Sequence, residues 1–133
     1  MLIFRFLVVL AVLVLVHELG HFLVAKAFKV QVLEFGMGFP PRLFSLRRGE
    51  TLYSLNLLPL GGFVKLLGEE DPSHPGSLAS RSILQRALIL SAGSFMNLLL
   101  AVVLFSLVFM IPSQEVVAKV TIDGVKPGSP AQE

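Results

Sequence analysis

Two apolar runs dominate this chain. Residues 2–28 and 87–114 are each long enough to cross a bilayer, which takes about 20 mostly apolar residues. The second run holds no charged residue; Ser91, Ser94, Asn97 and Ser106 are its mild polar members, and Pro112 marks its end. The first is interrupted by Arg5 and by the cluster His17, Glu18 and His21. Only 15% of the 133 residues are charged and 54% are hydrophobic, against about 25% charged in globular domains. This argues against a soluble domain, and the apolar content excludes disorder. The net charge of +2 does not point to nucleic acid, because the basic residues flank the apolar runs and form no dense patch with interleaved aromatics. With no cysteine, neither disulfides nor a thiolate metal site is available.

The start also has the outline of a secretory signal: Arg5, an apolar run, then Ala25-Lys26-Ala27 as a small-residue cleavage site. Two histidines and a glutamate do not belong in such a segment, so an uncleaved anchor is the better reading. Eight of the eleven Lys and Arg residues fall between positions 26 and 86. By the positive-inside rule that loop is cytoplasmic, and the N-terminus and the tail lie outside.

Residues 29–86 change character. Gly and Pro cluster at Gly36-Met37-Gly38-Phe39-Pro40-Pro41 and at Pro59-Leu60-Gly61-Gly62. Residues 42–47 and 51–57 alternate around Arg48-Gly49-Glu50, which predicts a hairpin. Residues 32–35 and 63–67 are further strand candidates. The stretch 69–80, acidic and then rich in Pro and Ser, reads as an exposed loop.

His17-Glu18-Leu19-Gly20-His21 places two imidazoles four residues apart, about 400° around a helix and so on one face. Such a pair can bind one metal with Zn–N distances of about 2.0–2.1 Å, and zinc lowers the pKa of a water it holds to about 7. Glu18 stands about 100° away, suited to take a proton from that water and pass it to a leaving amine. An ionisable group at membrane depth costs about 2.5–3.5 kcal/mol on insertion scales, so the cluster needs a compensating metal, partner or cavity. A bis-histidine haem site also uses the imidazoles, but it leaves Glu18 without a task.

An ordered series of motifs goes further: the His-Glu helix, then Glu34-Phe35-Gly36-Met37-Gly38-Phe39-Pro40-Pro41, Leu58-Pro59-Leu60-Gly61-Gly62-Phe63-Val64-Lys65, and Ser91-Ala92-Gly93-Ser94-Phe95-Met96-Asn97. This series resembles the site-2 proteases, intramembrane zinc metalloproteases, and is most similar to their bacterial regulator-of-sigma-E branch. The resemblance implies Zn2+ as cofactor, with His17 and His21 as ligands and Glu18 as catalytic base. It implies that Gly36, Met37 and Gly38 lie in a membrane-associated β-region where an exposed strand edge holds substrate in extended form. Ordinary turn chemistry explains the same glycines. Asn97 matches a family asparagine, open to substrate contact or to helix packing. Ser94 replaces the usual proline, and Ala92-Gly93-Ser94 is a small-residue patch that allows close helix contact. Residues 120–131 resemble the opening of a PDZ domain.

The expected fold class is therefore membrane α-helical, with two transmembrane helices flanking a small β-sheet. Residues 1–28 form the first helix, 29–86 a cytoplasmic, membrane-associated β-region and loop, 87–112 the second helix, and 113–133 the start of an extracytoplasmic PDZ domain. The resemblance implies a multi-pass protein of the bacterial inner membrane, with the lipid bilayer and a single-span membrane protein substrate, such as an anti-sigma factor, as partners. Catalytic zinc normally has three protein ligands, and the chain offers two. Asp123, in Ile122-Asp123-Gly124, imitates the family's later Leu-Asp-Gly motif but sits among polar, turn-rich residues, and Asp71, at the membrane surface, is only a remote candidate. The chain thus reads as the N-terminal portion of an enzyme, inactive by itself. A non-catalytic membrane adaptor and a metal-binding membrane protein are the alternatives.

Overall fold

The computed structural model describes residues 1–111. Helix α1, Leu2–Ala27, is followed by strands β1, Val32–Arg48, and β2, Thr51–Leu66, and by helix α2, Ile83–Met110. At about 1.5 Å per residue the helices are roughly 39 and 42 Å long, enough for a hydrocarbon layer of about 30 Å. Both are long and apolar enough to cross a membrane. The expected PDZ opening and Asp123 lie outside the described residues.

Helix α2 begins at Ile83, four residues ahead of the start expected from composition. The cause is a capping box. The Ser82 hydroxyl accepts from the Gln85 N–H, and Gln85 Oε1 accepts from the Ser82 N–H, both at 3.3 Å, satisfying two orphan donors of the first turn. Apolar content marks where lipid begins, which is not where the helix begins.

The expected short strands prove to be the ends of two long ones. β1 and β2 pair antiparallel around Gly49-Glu50, from Arg48↔Thr51 to Phe44↔Leu55. Gly49 takes φ +62° there, a left-handed value that costs Gly little. The two ribbons bend so far that Glu34–Met37 acquires partners on both sides. One set is Lys65 to Gly62, running in the opposite sense; the other is Leu52 to Leu55, with numbers rising together. Polar side chains rivet the second contact. Thr51 Oγ1 donates to the Val32 carbonyl at 2.8 Å, Ser54 Oγ to Glu34 Oε1 at 2.6 Å, and Asn56 Nδ2 to the Gly38 carbonyl at 3.0 Å. Arg42 closes on the same Glu34 oxygen at 2.7 Å. At the far end of the sheet Phe39, Leu43, Phe44, Leu57, Leu58 and Leu60 are exposed, an apolar patch of the kind that marks contact with membrane or protein.

The core lies where the sheet meets the helices. Ala25, Val30, Val32, Leu66, Leu78 and Ile89 form one buried cluster, with Phe22, Val24, Phe28 and Val64 packed against it. Leu78 and Ser77 belong to the stretch expected to be exposed, yet both are buried. Backbone bonds pull that stretch inward: Gln31 N–H donates to the Gly76 carbonyl, Leu67 N–H to Gln31, and Leu78 N–H to Leu67, each at 2.9 Å. Arg81 Nη2 adds bonds to the carbonyls of Lys29 at 2.8 Å and Pro75 at 2.7 Å. Its first half, 69–75, remains exposed.

Candidate metal centre

The motif helix presents two faces to two neighbours. His17, Gly20 and His21 turn toward α2, where they meet Asn97, Ala92 with Met96, and Ile89 with Gly93. Val14, Glu18 and Phe22 turn toward the sheet, where Val14 and Glu18 press on Gly62, and Phe22 meets Phe35 and Tyr53 at ring-centroid distances of 5.3 and 6.0 Å. Positions of α1 that fall meet positions of α2 that rise, so the helices are antiparallel. The one-residue step between His17 and Glu18 is what sends the imidazole toward α2 and the carboxylate toward the sheet.

The two imidazoles converge. Their Nε2 atoms are 3.2 Å apart; two nitrogens on one tetrahedral zinc at Zn–N distances of 2.0–2.1 Å are separated by about 3.3 Å. His21 Nδ1 lies 2.7 Å from the Ile89 carbonyl oxygen. A carbonyl only accepts, so Nδ1 carries the proton and the Nε2 lone pair is free for a cation. The pair sits tight against α2 because position 93 lacks a side chain: a Cβ on Gly93 would stand 2.5 Å from His21 Nε2 and 2.6 Å from His17 Nε2. Donor chemistry and separation together fit a zinc ion.

Glu18 borders two clefts. One, of about 250 Å³, is lined by Glu18, His21, Val64, Glu69 and Ile89 among others. The other, of about 170 Å³, is lined by Leu13, Val14, His17, Glu18 and Asn97. His17, Glu18 and His21 are all only half-buried, so small molecules can reach the motif from either side of α1. Gly62 lets the β2 backbone run against Glu18: a Cβ there would meet Glu18 Cγ at 2.9 Å and Val14 Cγ1 at 3.0 Å.

Of the residues singled out from sequence, His17, Glu18, His21 and Asn97 gather at this junction. Gly36 and Met37 sit in the sheet with partners on both sides, so the open edge expected there is displaced. Among the described residues the unpaired edges are the outer sides of 62–65 and 44–48. Gly38, at φ +81°, packs its backbone against Leu58 and Asn56. Asp71 does not join the imidazoles. Its carboxylate accepts from the Ser73 N–H and hydroxyl, both at 2.9 Å, and these bonds hold it below the usual carboxylate range. No cluster of three potential metal ligands occurs among the described residues. Sequence reasoning passed over Gly62, Glu69 and the Ile89 carbonyl, and took Gly93 for helix packing alone; only neighbours distant in sequence give these residues their place.

Comparison with known proteins gives a consistent result. A profile of Peptidase family M50 matches residues 5–128. A protein of Clostridium perfringens, named as a candidate zinc metalloprotease, is 47% identical over 128 residues, covering 96% of this chain and 37% of its own length. One of the same description from Clostridium acetobutylicum is 45% identical over 92% of this chain and 35% of its own. Another from Thermotoga maritima is 41% identical over 100% of this chain and 27% of its own. The chain thus spans about a third of the length of the curated relatives it matches.

Proposed function

The chain belongs to peptidase family M50, the site-2 protease family, and on that premise we propose that it is the N-terminal portion of an intramembrane zinc metalloprotease. Its substrates are membrane-spanning regulatory proteins, with an anti-sigma factor as the expected type. The observation that carries this reading is the pair of Nε2 atoms 3.2 Å apart, packed against Gly93 of the second helix, within a helix fit to span a membrane.

His17 and His21 hold the zinc, and the third ligand comes from outside the described residues. Zinc, when bound, supplies a Lewis acid that lets water lose a proton near neutral pH. The Glu18 carboxylate takes that proton as water adds to the scissile carbonyl. It returns a proton to the amide nitrogen as the C–N bond breaks, leaving an acid and an amine. A peptide bond in a helix is shielded by its own hydrogen bonds, whereas β-addition presents an extended one. The free edge at 62–65, with Gly62 against Glu18, suits that task, and Gly36, Met37 and Gly38 support it from the next strand. Loop 29–86 faces the cytoplasm of a bacterial cell and the tail faces outward, with both helices in the inner membrane.

The test is Glu18→Gln in the intact polypeptide. Cleavage of a single-span reporter should fall by about 10²–10⁴-fold, the usual worth of a general base, with zinc content unchanged. Cleavage at the parent rate would overturn the assignment.

A further inference from the structure

Positions 89, 93 and 97 of α2 are spaced by four and lie on one helix face, and all three touch the histidines. The Ile89 carbonyl fixes the proton of His21 on Nδ1, and Gly93 lets the α2 backbone come close to both Nε2 atoms. Asn97 stands at the other ring: its amide nitrogen is 3.4 Å from His17 Nδ1. Its Oδ1 is buried, with no hydrogen-bond partner among the described residues.

These contacts belong to one protonation pattern. With the amide nitrogen toward the ring, His17 Nδ1 accepts and its proton sits on Nε2, pointing at the bare Nε2 of His21 3.2 Å away. That pattern suits the metal-free pair, because a protonated Nε2 cannot ligate. Metal binding requires the proton on Nδ1, which then needs an acceptor. Half a turn of the amide brings Oδ1 to the place of the nitrogen, since the two ends are nearly isosteric. The orphaned oxygen gains its partner, and His17 gains the same carbonyl-type support that Ile89 gives His21. Ligating histidines characteristically donate their second N–H in this manner.

We propose that Asn97 is the positioning residue of His17, its amide turning so that Oδ1 accepts from Nδ1–H and Nε2 is presented to a cation shared with His21. The inference rests on the reading of His17 and His21 as metal ligands. It assigns Asn97 a role distinct from substrate contact and from helix packing.

The test is cobalt(II) binding to the intact polypeptide, purified in detergent and stripped of metal, read by visible d–d absorption with a competing chelator. Asn97→Leu removes the acceptor and should weaken cobalt binding by 10–100-fold, the usual worth of an outer-shell partner. Asn97→Asp keeps an acceptor, cannot donate, and should bind like the parent. His17→Ala is the reference for loss of the site. Parent-like affinity in Asn97→Leu overturns the role of Asn97 while His17→Ala still reports the metal site. Equal weakening in the Leu and Asp variants shows a packing role and also overturns it. Undiminished binding in His17→Ala overturns the metal site and the inference together. Should the Leu variant fail to fold, Asn97→Ala takes its place with the same expected loss, and parent-like binding in it overturns the role.

Discussion

The inner and outer halves of the two helices have similar composition and opposite uses. Around positions 17–25 of α1 and 89–93 of α2, Gly20, Ala25, Ile89, Ala92 and Gly93 are buried, and the Gly20 backbone lies against the Ala92 carbonyl. Toward the other ends, Leu2 to Phe6 and Val102 to Ile111 leave their large side chains exposed. Lipid requires apolarity along the whole length, so apolarity says nothing about where helices touch. Small and polar residues carry that information, because packing in lipid depends on close approach and on polar contact.

Gly93→Ala attacks the inner half most directly. The added carbon would clash with both imidazoles and push them from their places, and zinc content of the intact polypeptide, measured by atomic absorption, should fall to background. Normal zinc would break the link between the seam and the metal. Next in size, Leu78→Ala tests whether the loop belongs to the same core. Leu78 is 5% exposed, and unfolding in detergent should show a loss of about 2–4 kcal/mol. Ser82→Ala removes the cap of α2 and should cost about 1 kcal/mol in the same assay. In the outer half, Leu98→Ala and Val102→Ala, both more than half exposed, should change stability by no more than about 0.5 kcal/mol. A large loss there would show that the outer half packs too.

The spans, the hairpin turn at Gly49 and the facing imidazoles were legible because each depends on local spacing. Apolar length reports a span, Gly between alternating runs reports a turn, and a step of four reports a helix face. The double pairing of Glu34–Met37 was not legible, since a strand sequence carries its alternation but not its partners' identity. Leu78 looked exposed because its neighbours are Pro, Ser and Gly; its burial comes from the Gln31 and Leu67 backbone. Gly93 looked like helix packing alone. What makes it more is the pair of rings across from it, more than seventy residues earlier in the chain.

The backbone bonds joining Gln31, Leu67 and Gly76 set one further quantity, the angular phase of the helices. They tie the exit of α1 and the exit of β2 to the loop that leads into α2. One residue of slippage turns a helix by about 100°, which would swing Gly93 and Asn97 away from the imidazoles while leaving both helices as apolar as before. Lipid is indifferent to such a rotation. Bonds outside the spans thus join the contacts of Gly20, His21 and Asn97 within them in keeping the two helices in step.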